Sequence, residues 1–193
     1  MMEFYDTNAS LFIESWLTAD MKEEYGTFEN LIKEGAKILD GGCGSGRDSL
    51  YFLQKGYDVT AFDPSDEMIK YASQFTGIKI GKARWEELDD DGKYDAVWAS
   101  ASLYHVSRKD MSDVFDRIAR ALKKNGILFA SYRDRPDDFS ENGRSFTSFD
   151  RKTFEKFVKE NGKFDILEIK ERKDSRKGKE DEMWLFAYLR KKD

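Results

Sequence analysis

The chain is poor in the residues that build covalent staples and metal centres. Cys43 is its one cysteine and His105 its one histidine among 193 residues, so an intramolecular disulfide is impossible and a His/Cys metal cluster is excluded. No metal site is expected. There is also no excess of basic charge: 33 Lys and Arg stand against 38 Asp and Glu, a net charge of -5. A surface that tracks phosphates needs cations to neutralise them, so nucleic acid is a poor first partner and a small molecule a better one. No run approaches the roughly 18 apolar residues of a membrane helix, and "MMEFYDTNAS" lacks the basic-then-apolar order of a secretory signal. With cysteine so sparse, a reducing, cytoplasmic setting is expected, without a membrane partner. Sequence offers nothing on oligomeric state.

What the chain does have is alternation. From residue 36, β-rich runs at 36–42, 58–64, 78–83, 94–100 and 126–132 are separated by helical spacing at 47–55 and 65–75. A further helix follows "HVSRKDM". Ser107 and Asp110 have the spacing of a capping box, Met111, Val114, Phe115, Ile118 and Leu122 recur at helical intervals, and Asn125-Gly126 ends the pattern. Strands alternating with helices require crossovers, hence a mostly parallel sheet with helices on both faces. The end differs. A helix at about 150–161 leads into "FDILEIKERKD" and "EDEMWLFAYLRK", which read as a hairpin and so bring one antiparallel strand. Residues 1–35, with Phe4, Tyr5, Phe12, Trp16, Tyr25 and Phe28, are expected to form a helical cap over the ligand edge of the 36–193 core.

"ILDGGCGSGRDSL" holds the first chemical signal. A dinucleotide fingerprint wants glycine at the third position of G-x-G-x-x-G to pack helix on strand. Here the frame is Gly42, Gly44, Gly46, and Arg47 stands where that third glycine belongs, which disfavours a nicotinamide oxidoreductase. Asp40 precedes the turn, where it would repel a pyrophosphate but suit a ligand ammonium. Asp63 ends the next strand, 17 positions beyond Gly46 (63 − 46). An acid there accepts hydrogen bonds from ribose hydroxyls, or simply caps a helix with Pro64 at its first position.

The stretches "ILDGGCGSGRDSL", "VTAFDPSDEMIKYA" and "YDAVWASASLYHV", in this order, resemble the cofactor motifs of class I S-adenosylmethionine-dependent methyltransferases, most of all the small bacterial group near the tellurite-resistance and ubiquinone-biosynthesis enzymes. The resemblance runs from residue 36 to the end. The length suits a single domain over 1–193, and the resemblance implies a Rossmann-like seven-stranded sheet whose last strand is inserted antiparallel, and S-adenosylmethionine as cofactor. By the same resemblance Asp40, Gly42, Cys43, Gly44 and Gly46 surround the methionine part, Asp63 holds the ribose, and Ser65 and Met68 flank the adenine. Ser100 joins them beyond the fourth strand. In "KARWEEL" the acid that commonly takes the adenine amine is missing, and Arg84 and Trp85 stand in its place; for Trp85 a core role is the alternative.

"ASLYHV" would lie beside the acceptor. His105 is the side chain whose ordinary pKa suits a general base, and Tyr104 is its neighbour; either could instead be structural. Arg47 is a candidate for an acidic acceptor or the cofactor carboxylate, while Asp48 suits a first helical turn. The long charged stretch "YRDRPDDFSENGRSFTSFD" reads as an irregular lid that selects the acceptor, and "KERKDSRKGKE" as a solvated hairpin tip. A small-molecule methyltransferase is therefore expected. A nucleic-acid base enzyme is weakened by the lack of proline in "ASASLYHV", and a cofactor-binding regulator is the third reading.

Overall fold

The computed structural model describes residues 2–193, with side chains at 5–9 and 13–193; the side chains of the cap aromatics Phe4 and Phe12 lie outside those described. Two helices, α1 (Met2–Leu17) and α2 (Lys22–Glu29), precede the sheet. Then come β1 (Lys37–Gly41), α3 (Arg47–Gln54), β2 (Asp58–Asp63), α4 (Asp66–Thr76), β3 (Ile80–Lys82), β4 (Tyr94–Ala99), α5 (Met111–Ala121), β5 (Leu122–Arg133), the short β6 (Phe139–Glu141) and β7 (Arg144–Phe146), α6 (Arg151–Asn161), β8 (Phe164–Lys173) and β9 (Met183–Lys191).

Seven strands form one sheet in the order β3-β2-β1-β4-β5-β9-β8. β1 to β5 pair in parallel, and β9 enters antiparallel between β5 and β8. The expected architecture is therefore present, including the single inverted strand. The strand order reverses between β1 and β4, and their carboxyl ends open a crevice there, the place where such sheets bind ligands.

Alternation along β5 sends Phe129 and Tyr132 to opposite faces. On one face Phe129 stacks on Trp98 of β4, with ring centroids 3.8 Å apart, and Phe28 of α2 and Phe52 of α3 pack edge-on to Trp98 at 4.9 and 5.2 Å. On the other, Tyr132 meets Phe149 and Phe154, and Phe115 of α5 meets Phe157 of α6. Both faces are closed by aromatic side chains, the reason the strands read as continuous apolar runs.

Three local expectations give way. Ser107 does not cap α5; its hydroxyl donates to Asp110 Oδ2 at 2.6 Å, and Asp110 itself makes no side-chain cap bond. α5 stops at Ala121, because Leu122 already pairs with Tyr94, and Asn125 takes a positive φ of 59° within an irregular start to β5. The lid stretch is not irregular throughout, since β6 and β7 pair across it through Phe139↔Phe146 and Glu141↔Arg144. The hairpin is anchored by Arg108, which donates to Asp138 and to the Ser148 carbonyl. Among the described residues no helix is long and apolar enough to cross a membrane.

Phe28 is fully buried at the α2 contact with Trp98 and Phe52. Its truncation to alanine should cost about 3–5 kcal/mol, as for other large-to-small core changes. Urea unfolding measures this; a loss below about 1 kcal/mol would show that α2 is not part of the cooperative core.

Candidate cofactor and acceptor site

The glycine loop leaves β1 and crosses the crevice. Gly41, the last residue of β1, lies under the Trp85 ring: a Cβ there would come within 2.1 Å of it. Gly42 has φ 65°, and a Cβ on it would meet the Ser102 side chain at 2.5 Å. Both positions need glycine, the first for close approach and the second for approach and conformation together. Gly44 is different. A Cβ there would meet nothing within 4 Å, and its N–H donates to Asp63 Oδ2 at 2.9 Å.

Asp63 also accepts from the Ser65 amide at 2.9 Å through Oδ1. Ser65, not Asp63, is the N-cap of α4, with φ −89° and ψ 127° and its hydroxyl accepting from the Met68 amide at 3.2 Å. Helix capping therefore does not explain the Asp63 carboxylate. Burial pushes it up to about 6, partly offset by the two amide donors. A carboxylate has about four lone-pair positions. Two amides use two of them, so capacity for further donors remains on a group that lines the cavity.

That cavity, about 330 Å³, lies between the strand ends and α1. Of the sequence candidates it brings together Gly42, Cys43, Gly44, Asp63, Ser65 and Met68, then Arg84 and Trp85, and at the far end Ser100, Tyr104 and His105. Asp40 and Gly46 are not in the wall. Asp40 is buried behind the loop with Ser49 donating to it at 2.6 Å, and burial, reinforced by the charge of Asp48, pushes its carboxyl up to about 8. Gly46 serves as the N-cap of α3. Cys43 is in the wall, but burial raises its thiol well above the ordinary range, so it offers no ready thiolate. Trp85 is both packed and lining: 5% exposed, edge-on to Phe62 at 5.0 Å, with its indole nitrogen buried and unpartnered.

The helical cap expected over the ligand edge is the roof, but its individual contacts were beyond sequence reading. Tyr5, Ile13 and Trp16 of α1 all line the cavity. Asp6 accepts from the Ser65 hydroxyl at 2.5 Å, and the Tyr5 hydroxyl lies 2.7 Å from His105 Nε2 while accepting from Arg144 at 3.0 Å. Buried among these groups, and further disfavoured by the Arg144 charge, protonated His105 is suppressed to a pKa of about 3. Burial raises the Tyr104 hydroxyl as well. Tyr104 rests on the His105 ring at 4.2 Å and on Phe146 at 5.1 Å.

Arg47 and Asp48 hold the roof from below. Asp48 accepts from Arg47 Nε at 2.6 Å, from Trp98 Nε1 at 2.8 Å and from the Tyr25 hydroxyl. Burial opposes its ionisation, but the Arg47 charge and these donors outweigh it and hold the carboxyl below the usual range. Arg47 Nη1 then donates to the Trp16 carbonyl at 2.7 Å. One buried ion pair thus joins α1, α2, α3 and β4. Sequence position alone suggested no more for Asp48 than a favourable helix start.

A cavity at the strand-order reversal, a glycine loop joined to the carboxylate that ends the next strand, and an inverted last strand are brought together here on a methyltransferase fold. Residues 38–126 match the family model described as "Methyltransferase domain". The chain is similar to the class I S-adenosylmethionine-dependent methyltransferases, whose cofactor is S-adenosylmethionine. It is 27% identical over 168 residues to the putative methyltransferase YqeM of Bacillus subtilis, covering 76% of this chain and 68% of that one. With human glycine N-methyltransferase it shares 30% over 120 residues, 51% of this chain but only 41% of that enzyme. In structure it is similar to 1,6-didemethyltoxoflavin-N1-methyltransferase of Burkholderia thailandensis, solved with 1,6-didemethyltoxoflavin and S-adenosylhomocysteine, at a TM-score of 0.80 and 21% identity over 99% of this chain and 90% of that one.

Asp48→Asn removes the charge that neutralises Arg47 and should destabilise the protein by about 3 kcal/mol. Chemical denaturation checks it. Unchanged stability would mean that the Arg47 charge is satisfied without Asp48.

Proposed function

We propose that this chain methylates a small, uncharged acceptor held beneath α1. The roof carries this reading: Tyr5, Ile13 and Trp16 close the same cavity that the glycine loop and Asp63 line. A concave cavity roofed by a helix suits a small molecule, whereas a polymer needs a groove that follows its backbone. The toxoflavin-type neighbour, solved with a small-molecule ligand, supports the same reading.

In this reading Asp63 accepts hydrogen bonds from the two ribose hydroxyls with the lone pairs its amide donors leave. Gly42, Cys43 and Gly44 form the backbone bed of the amino-acid end, supported from behind by Asp40 and Gly46. Ser65, Met68, Arg84 and Trp85 bound the adenine side. When bound, S-adenosylmethionine supplies a methyl group on a sulfonium, lost by in-line displacement as the positive charge disappears. The chain contributes alignment and exclusion of water. Ser100, Tyr104 and His105 form the acceptor end. With its protonated form suppressed to about 3 and Nε2 engaged by Tyr5, His105 is a weak base at neutral pH. The site therefore suits an acceptor whose lone pair is available without prior loss of a proton.

Asp63→Asn should weaken S-adenosylhomocysteine binding by roughly tenfold, the loss of a charged hydrogen bond. The pH dependence has a definite sign. Ribose hydroxyls donate to the ionised carboxylate, so affinity should rise as pH passes upward through about 6, and calorimetry at pH 5 and 7.5 should show this in the wild type but not in Asp63→Asn. Stability follows the opposite sign: because the folded carboxyl is raised, the Asp63 contribution is largest at low pH and falls as pH rises through that window. Incubation with methyl-labelled cofactor, a panel of small uncharged heteroaromatic compounds and duplex DNA tests the acceptor class. Label is expected in the small-molecule fraction; label in the DNA would overturn it.

A further inference from the structure

The chain leaves β4 in an unusual way. The β4–β5 ladder ends at Ala99↔Ala130, and two residues later Ala101 has φ 48°, in the left-handed region that strains a residue with a Cβ. Glycine would adopt it freely, yet alanine stands there. Its amide no longer faces a strand carbonyl. Instead it donates to the Ser131 hydroxyl on β5 at 2.8 Å, and Ser131 is 1% exposed.

The turn has consequences on both sides. Ala101 lines the main cavity and also a small pocket behind it, of about 20 Å³, to which Ser131 and Trp184 contribute. Immediately after it, Ser102 lies against Gly42 so closely that a Cβ on that glycine would clash, and the Ser102 carbonyl accepts from the His105 amide at 3.1 Å to start the turn carrying Tyr104. The direction of the chain at Ala101 therefore sets where the acceptor-end wall stands relative to the glycine loop.

We propose that Ser131, itself outside the main cavity, is a positioning residue for the cofactor site: its hydroxyl holds Ala101 in the left-handed turn that seats Ser102 against Gly42. This rests on the cofactor assignment made above. Without the hydroxyl, the Ala101 amide loses this partner in a part-buried setting, and an extended backbone at residue 101 becomes the less strained choice.

The test is calorimetric titration of S-adenosylhomocysteine, with thermal unfolding recorded in parallel. Ser131→Ala should raise Kd by about tenfold. Adding Ala101→Gly to that variant should restore affinity to within about threefold of the wild type, because glycine adopts the turn unaided. If Ser131→Ala does not fold, Ser131→Cys, close in shape but a weak acceptor, carries the same expectation in smaller degree. A lowered melting temperature with unchanged Kd would overturn the proposal, as would a weakened Kd that Ala101→Gly fails to rescue. Absence of binding by the wild type would overturn the cofactor assignment with it, whereas wild-type binding that Ser131 variants leave intact sinks only the positioning role.

Discussion

Asp63 is a buried carboxylate that two backbone amides have already begun to solvate. Its side chain spans from Gly44 in the glycine loop to Ser65 at the head of α4, and the Ser65 hydroxyl continues the chain to Asp6 in α1. Floor, side wall and roof of the cavity are thus linked through one carboxylate and one hydroxyl. Burial makes the charge costly and leaves the carboxyl raised to about 6. A ligand that brings two hydroxyl donors would offset that cost, so the feature that disfavours the empty ionised site is the one that favours recognition.

A second buried carboxylate plays a complementary part. Asp48 has three donors, one of them the neutralising Arg47, and it remains ionised where Asp40, with one hydroxyl donor and the Asp48 charge nearby, is driven toward the neutral form. Two acids flanking the same glycine loop, one on β1 and one on α3, are pushed apart by environment alone. Asp48 is satisfied and structural: it ties the aromatic cap to Trp98, whose stacking on Phe129 anchors the centre of the sheet. The placement of Tyr5, Ile13 and Trp16 over the ligand edge follows from this tie and from the Asp6 and Tyr5 contacts.

How much of this was legible in the sequence depends on how local each cause is. The strand-helix alternation, the glycine frame, Asp63 and the inverted terminal strand rest on short-range patterns and could be read directly. Eleven of the thirteen candidate residues face one cavity because they sit on strand ends that the topology gathers. Asp40 and Gly46 belong to the same motif but lie behind the wall, since the strand's alternation turns Asp40 toward Ser49. Contacts between distant segments were not legible. Nothing in "MMEFYDTNAS" indicates that Tyr5 would reach His105, 100 residues away, and in the Ser107 capping pattern the hydroxyl donates to the Asp110 carboxylate instead of accepting from a helix amide. The His105 ring met the same limit. Its ordinary pKa suggested a base, and only the surrounding Tyr5, Tyr104 and Arg144 make it a neutral wall.

The most direct measurement is a pair of calorimetric titrations of the wild-type protein near neutral pH, one with S-adenosylhomocysteine and one with NAD. The glycine frame broken by Arg47, together with Asp63 and the roofed cavity, predicts saturable binding of S-adenosylhomocysteine in the micromolar range and none of NAD at the same concentrations. Binding of NAD with no response to S-adenosylhomocysteine would contradict it.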